Sequence, residues 1–409
     1  MAYRPNTVKD VILAHRIRLD PTTAQEAQFA CACGVARFAY NWGLAEWRRQ
    51  YLSGGKPSDV ALRKQLNAIK SEQFPWMREV TKSAPQQALK NLGRAYANFF
   101  EDLKKFRRGE IPWGTIRAPR FKKKDRHDAF RADNGTDKVH PHAVKTDGKR
   151  VKLPLIGWVA MREEVRFAGR ILAVTVSRKA DRWYASFSIE VDYQPDVRTD
   201  DSVVGVDLGV TSLATLSDCT PKIPAPKPLG RYLKKLRRLA RALSRKQRGS
   251  RNRGKAKTKL ARLHGHIANI RSDALHKLTT YLTRYRTIVI EDLNVAGMLA
   301  NRRLSRAIAD VGFFEFRRQL EYKSTMAGSS VIVADRWLAS SKLCSTCASK
   351  NETLRLAERT WTCQPCGTSH DRDRNAALNL ARYAESSPAS ACGAEGSNDR
   401  HQTVVKPAA

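Results

Sequence analysis

Val203 to Leu216 reads VVGVDLGVTSLATL, and the fold turns on this stretch. An apolar, β-branched run ends in Asp207, a glycine-containing turn follows, and a second apolar alternation from Ser212 to Leu216 has the form of a returning strand. This puts one carboxylate at a strand end beside Gly209, whose missing side chain lets a bulky charged ligand come near the backbone. An aspartate after a strand is ordinarily a turn former. Two further acids change that reading. Glu291 closes the strand-like run Thr287 to Ile290, and Asp373 opens a helical stretch, DRNAALNLARYA. Carboxylates from two strand ends and one helix start can converge on a pair of divalent cations. Hard oxygen ligands suit Mg²⁺, and paired metals catalyse in-line phosphodiester displacement.

The composition agrees with a polyanionic partner. The chain has 409 residues, enough for two or three domains, and a formal charge of +36. That surplus calls for nucleic acid rather than membrane, since no run of about 18 apolar residues exists to span a bilayer. MAYRPNTVKD at the N-terminus has no apolar signal core, so a cytosolic, reducing location is expected. There the eight cysteines would serve as metal ligands or buried thiols rather than as a disulfide frame.

Upstream of the organising hairpin, Val11 to Leu19 reads as a strand stopped by Asp20-Pro21, and Thr22 is the N-cap of a long amphipathic helix to Tyr51. Aromatic residues at helical spacing in it (Phe29, Phe38, Tyr40, Trp42, Trp47) read as core, with a base-stacking surface as the alternative, and Cys31 and Cys33 read as small buried residues. Two more helices follow, roughly 59–70 and 82–105. The basic cluster Arg117 to Arg131 reads as an ordered, phosphate-contacting segment carrying Lys122, Lys123 and Lys124. Val151 to Met161 is strand-like, and Ile171 to Val191 is a hairpin turning at Lys179 to Asp181. These strands and the first one form a β-domain with the helices inserted into it.

Pro195 to Asp201 is a polar linker. Between Arg231 and Arg262 stand fifteen basic residues and no acid, Lys234, Lys235, Arg237, Arg238, Arg241 and Arg245 among them. Leucines at helical spacing predict two helical pieces broken near Gly249 to Gly254. A solvated helix mixes charge signs, so an all-cationic one calls for phosphate. A helix over 272–285, another over 302–327 and a strand at Val331 to Ala334 complete an α/β pattern.

Cys344-x2-Cys347, fifteen residues, then Cys363-x2-Cys366 is the spacing of a closed, structural, tetrahedral Zn²⁺ site. His370 is therefore expected outside the ligand set. Six residues separate Cys366 from Asp373, so the ribbon is hinged on the acid site. Asp373, rather than Asp371, is the expected ligand, and Asp292 reads as the start of the next turn. Beyond Tyr383 the composition predicts a disordered tail.

GVDLGVTSLATLSD, IVIEDLNVAGM, SSKLCSTC, CQPCG and HDRDRNAALN, in this order, with RFAYNWGLA, KNLGRAYANFF and PRFKKK before them, resemble the TnpB (OrfB) proteins of bacterial insertion sequences, relatives of type V CRISPR effectors. The resemblance implies an α+β multidomain protein. A wedge-type β-barrel (1–21 and 111–197) would enclose a helical recognition insertion (22–110). A RuvC-like, RNase H-type nuclease (198–343 and 367–384) would follow, split by a zinc ribbon (344–366) and trailed by a tail (385–409). It implies Asp207, Glu291 and Asp373 as Mg²⁺-binding catalytic acids, and guide RNA and double-stranded target DNA as partners. Lys82 and Gln86 match the family's K-x-x-x-Q position for reading a short flanking motif. Leu338-Ala339, in place of an aromatic-Pro pair, and Ala348, in place of a glycine, depart from the pattern. The function so implied is RNA-guided DNA cleavage by two-metal hydrolysis; a strand-joining transposase and a guided, non-cleaving binder are the alternatives.

Overall fold

The computed structural model describes residues 11–135, 143–192, 200–218, 220–355 and 357–386. They form two compact units, one ending at Tyr193 and the next beginning at Gln194.

In the first unit, β1 (Val11–Asp20) alternates buried and exposed side chains along its inner half. Pro21 ends it, and Thr22 starts α1 (Thr23–Leu52) through a reciprocal pair of bonds. The Thr22 hydroxyl accepts from the Gln25 N–H at 3.3 Å, and the Gln25 side chain accepts from the Thr22 N–H at 3.0 Å. Helices α2 (Asp59–Gln73) and α3 (Ser83–Arg107) follow, then β2 (Ala129–Asp133), β3 (Lys145–Asp147), β4 (Arg150–Leu153), β5 (Gly157–Met161), β6 (Arg170–Lys179) and β7 (Arg182–Val191). The strands make one antiparallel sheet in the order β2-β6-β7-β1-β5-β4-β3. β1 therefore sits mid-sheet, pairing β7 through Val11 to Arg18 and β5 through Leu19 and Asp20. Ile17, Phe29, Leu44, Leu89, Leu92 and Phe187 bury completely or nearly so in a core shared by the sheet and helices. Each contributes about 1.5–3 kcal/mol. The α1 aromatics are core, with Trp47 stacked on Tyr96 at 4.2 Å.

Three expectations change here. Val151 to Met161 is two strands, because Pro154 lacks an N–H and Leu155 (φ 63°) and Gly157 (φ 83°) turn the chain. The last residues of the basic cluster belong to β2. Cys33 is buried, but Cys31, two residues earlier on α1, is exposed.

The second unit opens with β8 (Val203–Asp207), β9 (Ser212–Leu216) and β10 (Ile223–Pro224). Two basic helices, α4 (Pro228–Ser244) and α5 (Arg251–Leu282), come next, then β11 (Thr287–Glu291), α6 (Val295–Ala300), α7 (Ser305–Val311), α8 (Phe313–Ala327) and β12 (Ser330–Ala334). The knuckle strands β13 (Thr360–Thr362) and β14 (Ser369–Asp371) precede α9 (Arg372–Ser386). The main sheet runs β10-β9-β8-β11-β12, with β8, β11 and β12 mutually parallel and the β8–β9 hairpin antiparallel. α9 lies on β8 so closely that a Cβ on Gly205 would stand 2.0 Å from the Ala377 carbonyl oxygen and 2.5 Å from the Ala381 nitrogen.

The basic stretch breaks at 245–250, where Gly249 takes φ 83°. The helix expected over 272–285 is the second half of α5, which nothing in its sequence interrupts. Residues 302–327 instead form two helices, because Gly312 adopts φ 82° between α7 and α8. The Pro195 to Asp201 linker lies mostly outside the described residues; the tail expected beyond Tyr383 starts later, because α9 continues to Ser386, and its remainder also lies outside them.

Candidate active site and metal-ligand cluster

Strand register brings the first two acids together. Val206 pairs with Ile290 across parallel β8 and β11, so Asp207 and Glu291 are the next residues on neighbouring strands and leave the sheet on the same side. Asp373, in the first turn of α9, is brought within electrostatic reach of Asp207 because α9 packs on β8; among the described residues only the four cysteines draw their ligand atoms into one tight cluster. Burial, and after it the carboxylates of Glu291 and Asp373, push the Asp207 carboxyl up to about 8. Burial also raises Glu291, against a hydrogen bond from Ser340 and the charge of Arg372. Mutual repulsion of this kind is what a bound divalent cation relieves, and the donor set is all oxygen, as Mg²⁺ requires.

Sequence reasoning missed the groups that hold these acids. Lys222, just before β10, donates to Asp373 at 2.8 Å and to Asp371 at 2.8 Å. Ser340 donates to the Glu291 carboxylate at 2.8 Å. Lys222 sits in no periodic or spaced pattern that could have marked it, and Ser340, though it opens the SSKLCSTC segment, is set apart there only as a neighbour of the first knuckle. Asp371 also accepts the Arg374 N–H at 2.9 Å and so acts as a cap for α9. Asp292 does not simply start a turn: it accepts from Arg317 and Arg336.

The four cysteines meet as their spacing predicts. Their Sγ atoms all lie within 4.8 Å of one another. Cys344 and Cys366 are 3.6 Å apart and Cys347 and Cys363 3.5 Å, near the edge length of about 3.8 Å of a tetrahedron with Zn–S bonds of about 2.3 Å. The residues fit zinc. The two knuckles share a backbone turn: Ala348 N–H donates to the Cys344 carbonyl at 2.9 Å, and Gly367 N–H to the Cys363 carbonyl at 2.8 Å. The Cys347 thiol, bonded by the hydroxyl and N–H of Ser349, is held down to about 6. His370 stands outside the set, its Nε2 3.0 Å from the Cys344 sulfur and its ring against Trp361. Asn375 and Asn379 of α9 donate to the Leu343 carbonyl at 2.6 and 2.7 Å, which fastens the first knuckle to the helix bearing Asp373.

Of the expected nucleic-acid contacts in this unit, Lys234, Lys235, Arg237, Arg238, Arg241 and Arg245 are all exposed on or at the end of α4. Leu236, Leu263 and Ile267 hold α4 against α5. The buried carboxylate of Asp310, on α7, accepts the N–H groups of Leu229 and Gly230 at 2.9 and 3.0 Å and so pins the start of α4. In the first unit, Lys82 is exposed at the N-terminus of α3, with Gln86 half-buried one turn on. Lys123 and Lys124 are exposed. Lys122 lies 4.2 Å over the Tyr40 ring, and its backbone exchanges two hydrogen bonds with Asn41.

Three family models match the chain. OrfB_IS605, whose description is "Probable transposase", covers residues 186–302; the Cas12f1-like TNB domain covers 313–380; and a helix-turn-helix domain covers 11–56. Over its described residues that last segment is β1 followed by the single long helix α1. Among curated relatives named as RNA-guided DNA endonucleases, one from Mycobacterium tuberculosis is 36% identical over 94% of this chain and 89% of the relative. One from Streptomyces pristinaespiralis is 38% identical over 94% and 92%, and InsQ of Escherichia coli K12 is 35% identical over 90% and 91%. A solved structure of a mini RNA-guided endonuclease, CRISPR-Cas_phi3, aligns over 93% of each chain at 10% identity with a TM-score of 0.46, a likeness too slight to argue from. With full-length identity above a third to several of its members, the chain belongs to the TnpB (OrfB) family of RNA-guided DNA endonucleases.

Proposed function

We propose that this protein is an RNA-guided DNA endonuclease that cuts target DNA beside a short flanking motif. The observation that carries this reading is the register that puts Asp207 and Glu291 side by side at parallel strand ends, with Asp373 delivered by the helix on β8. The finer assignments follow the same reading: the second unit is a RuvC-like nuclease domain split by its zinc ribbon, and the first is a wedge-type β-domain with a helical recognition insertion. The family reading also puts the enzyme in the cytosol, where its nucleic-acid partners are.

In this reading Asp207, Glu291 and Asp373 would hold Mg²⁺, and a pair of such ions would supply water activation and neutralisation of charge on the departing oxygen. Ser340 fixes the orientation of Glu291, and the Lys222 ammonium offsets the charge of Asp373. The exposed cations of α4 bind phosphates and keep the strand in reach. Lys82 and Gln86 read the flanking duplex, and Lys122 to Lys124 take part in backbone contacts. Base pairing with the guide RNA selects the sequence while the protein reads backbone shape. Cys344, Cys347, Cys363 and Cys366 hold a structural Zn²⁺ that fixes the ribbon.

The test is Mg²⁺-dependent cleavage of a plasmid library with randomised flanks by protein co-expressed with its native locus. Cuts that depend on RNA, cluster beside one enriched flank and vanish with Asp207→Ala while guided binding persists are expected. Undiminished cutting by that variant would remove the acids from the mechanism, and strand-transfer joints in place of free ends would make the protein a transposase.

A further inference from the structure

At the carboxyl ends of the parallel strands, next to Glu291, the second unit has a cavity of about 450 Å³ lined by Asp292, Arg317, Val333, Ala334, Asp335, Arg336 and Trp337. Trp337 is 86% exposed, although a tryptophan ordinarily contributes to a core. Its backbone is not loose: the Trp337 N–H donates to the Asp335 carboxylate at 2.7 Å, and the Leu338 N–H to the Asp335 carbonyl at 3.1 Å. The turn that presents this indole to solvent continues into Ser340, which holds Glu291. Asp292, directly after Glu291, accepts from both Arg336 and Arg317. Arg317 also donates to Glu321 at 2.9 Å, and since each guanidinium carries five donors, these carboxylates orient the two cations without using up their donors. One turn before Arg317, on the same face of α8, Phe314 is 73% exposed.

Two exposed rings and two carboxylate-braced guanidinium groups beside a catalytic acid form the pattern of single-stranded nucleic-acid binding, in which bases stack on aromatic faces and phosphates meet arginine. Duplex DNA offers no free base face to such a ring. We infer that Trp337, with Arg336 and Arg317, is a stacking clamp for an unpaired nucleotide of the DNA strand being cut, which sets that strand's register in front of Glu291. Its role in cutting rests on the nuclease reading; the binding itself does not.

The experiment uses the full chain carrying Asp207→Ala, so that the strand survives, with a single-stranded thymine oligonucleotide containing 5-iodouracil. Irradiation in about 200 mM salt, which weakens the phosphate contacts of the basic helices, should give a cross-linked peptide that contains Trp337. Trp337→Phe should keep most of the cross-link. Trp337→Ala should lose it and weaken binding of the oligonucleotide about fivefold or more, the scale of one base-aromatic stack. Arg336→Gln should lower the salt slope of binding by about one phosphate contact. Because the indole is exposed, Trp337→Ala should melt with the parent. Cross-links that map only to α4 and α5, or equal binding by Trp337→Ala, would overturn the clamp. If the chain with Asp207 intact never cuts while the Trp337 cross-link persists, the nuclease reading falls and the clamp stands.

Discussion

The ammonium of Lys222 lies 2.8 Å from the carboxylate of Asp373 and donates equally to Asp371. The acid on α9 thus has a cationic partner supplied by the chain itself. A divalent ion entering at Asp373 must share or displace that partner. Replacing the ammonium with a neutral amide, Lys222→Gln, should raise Mn²⁺ affinity about three- to tenfold, the size expected for one nearby, partly screened charge. Titration followed by electron paramagnetic resonance reads this directly. Weaker Mn²⁺ binding would instead mean that Lys222 holds Asp373 in place for the metal.

Asp207 gives a pH dependence whose sign can be fixed. Its carboxyl is raised from an unfolded value of about 3.9 to about 8 in the fold. The folded, metal-free chain therefore keeps a proton that the unfolded chain has lost. This contribution is complete below about pH 4 and drains away as pH rises towards 8. Asp207→Asn should raise the metal-free Tm, and by more at pH 8 than at pH 5. Added Mg²⁺ should stabilise the parent and leave the variant unmoved. Equal Tm gains at both pH values would show that Asp207 is not proton-linked.

Gly205 sits under α9 with no room for a side chain. The obstructing atoms are backbone, so Gly205→Ala can be accommodated only by lifting α9 off β8, at a cost of about 1–3 kcal/mol. It should lower Tm and, because Asp373 moves with α9, weaken Mn²⁺ binding as well. Gly265, inside α5 with nothing near its missing Cβ, is the control. Gly265→Ala should stabilise by about 0.5–1 kcal/mol and leave metal binding alone.

Ala348 occupies the place in the first knuckle that Gly367 occupies in the second, and both are left-handed, at φ 61° and 71°. A residue with a Cβ pays about 1–2 kcal/mol there. Ala348→Gly should therefore slow zinc loss to a chelator and raise Tm, whereas Gly367→Ala should do the reverse. Chelator-competition rates with a zinc indicator measure both; no change from Ala348→Gly would mean that the knuckle relaxes around the alanine.

What could be read from the residues was what chemistry writes at fixed spacing. The alternation around Asp207, the acid closing Thr287 to Ile290 and the two Cys-x2-Cys pairs mark the hairpin, a second strand ending in an acid and the thiol cluster; that the second strand lies parallel to the first is a matter of pairing, which no local pattern carries. What stayed hidden depended on the third dimension. Lys222 follows Thr220-Pro221 in a stretch with no period, and only the packing of α9 brings Asp373 to it. Gly312 ends a helix because it takes φ 82°, yet Gly265 sits inside α5 without disturbing it. The same residue type serves both, and tertiary contacts decide. Trp337 read as an unremarked residue ahead of a departure at Leu338-Ala339, since nothing in sequence distinguishes an exposed indole from a buried one.

The dependence of the acid site on α9 sets an order in time. During synthesis Asp207 leaves the ribosome first, Glu291 next, and Asp373 only after both cysteine knuckles have been made. Until then the face of β8 at Gly205 has no helix to cover it, and the third carboxylate does not exist. A nascent chain, or one cut short by a premature stop before α9, cannot assemble the three acids. Under the nuclease reading, the chain is harmless to DNA until α9 has been made and packed.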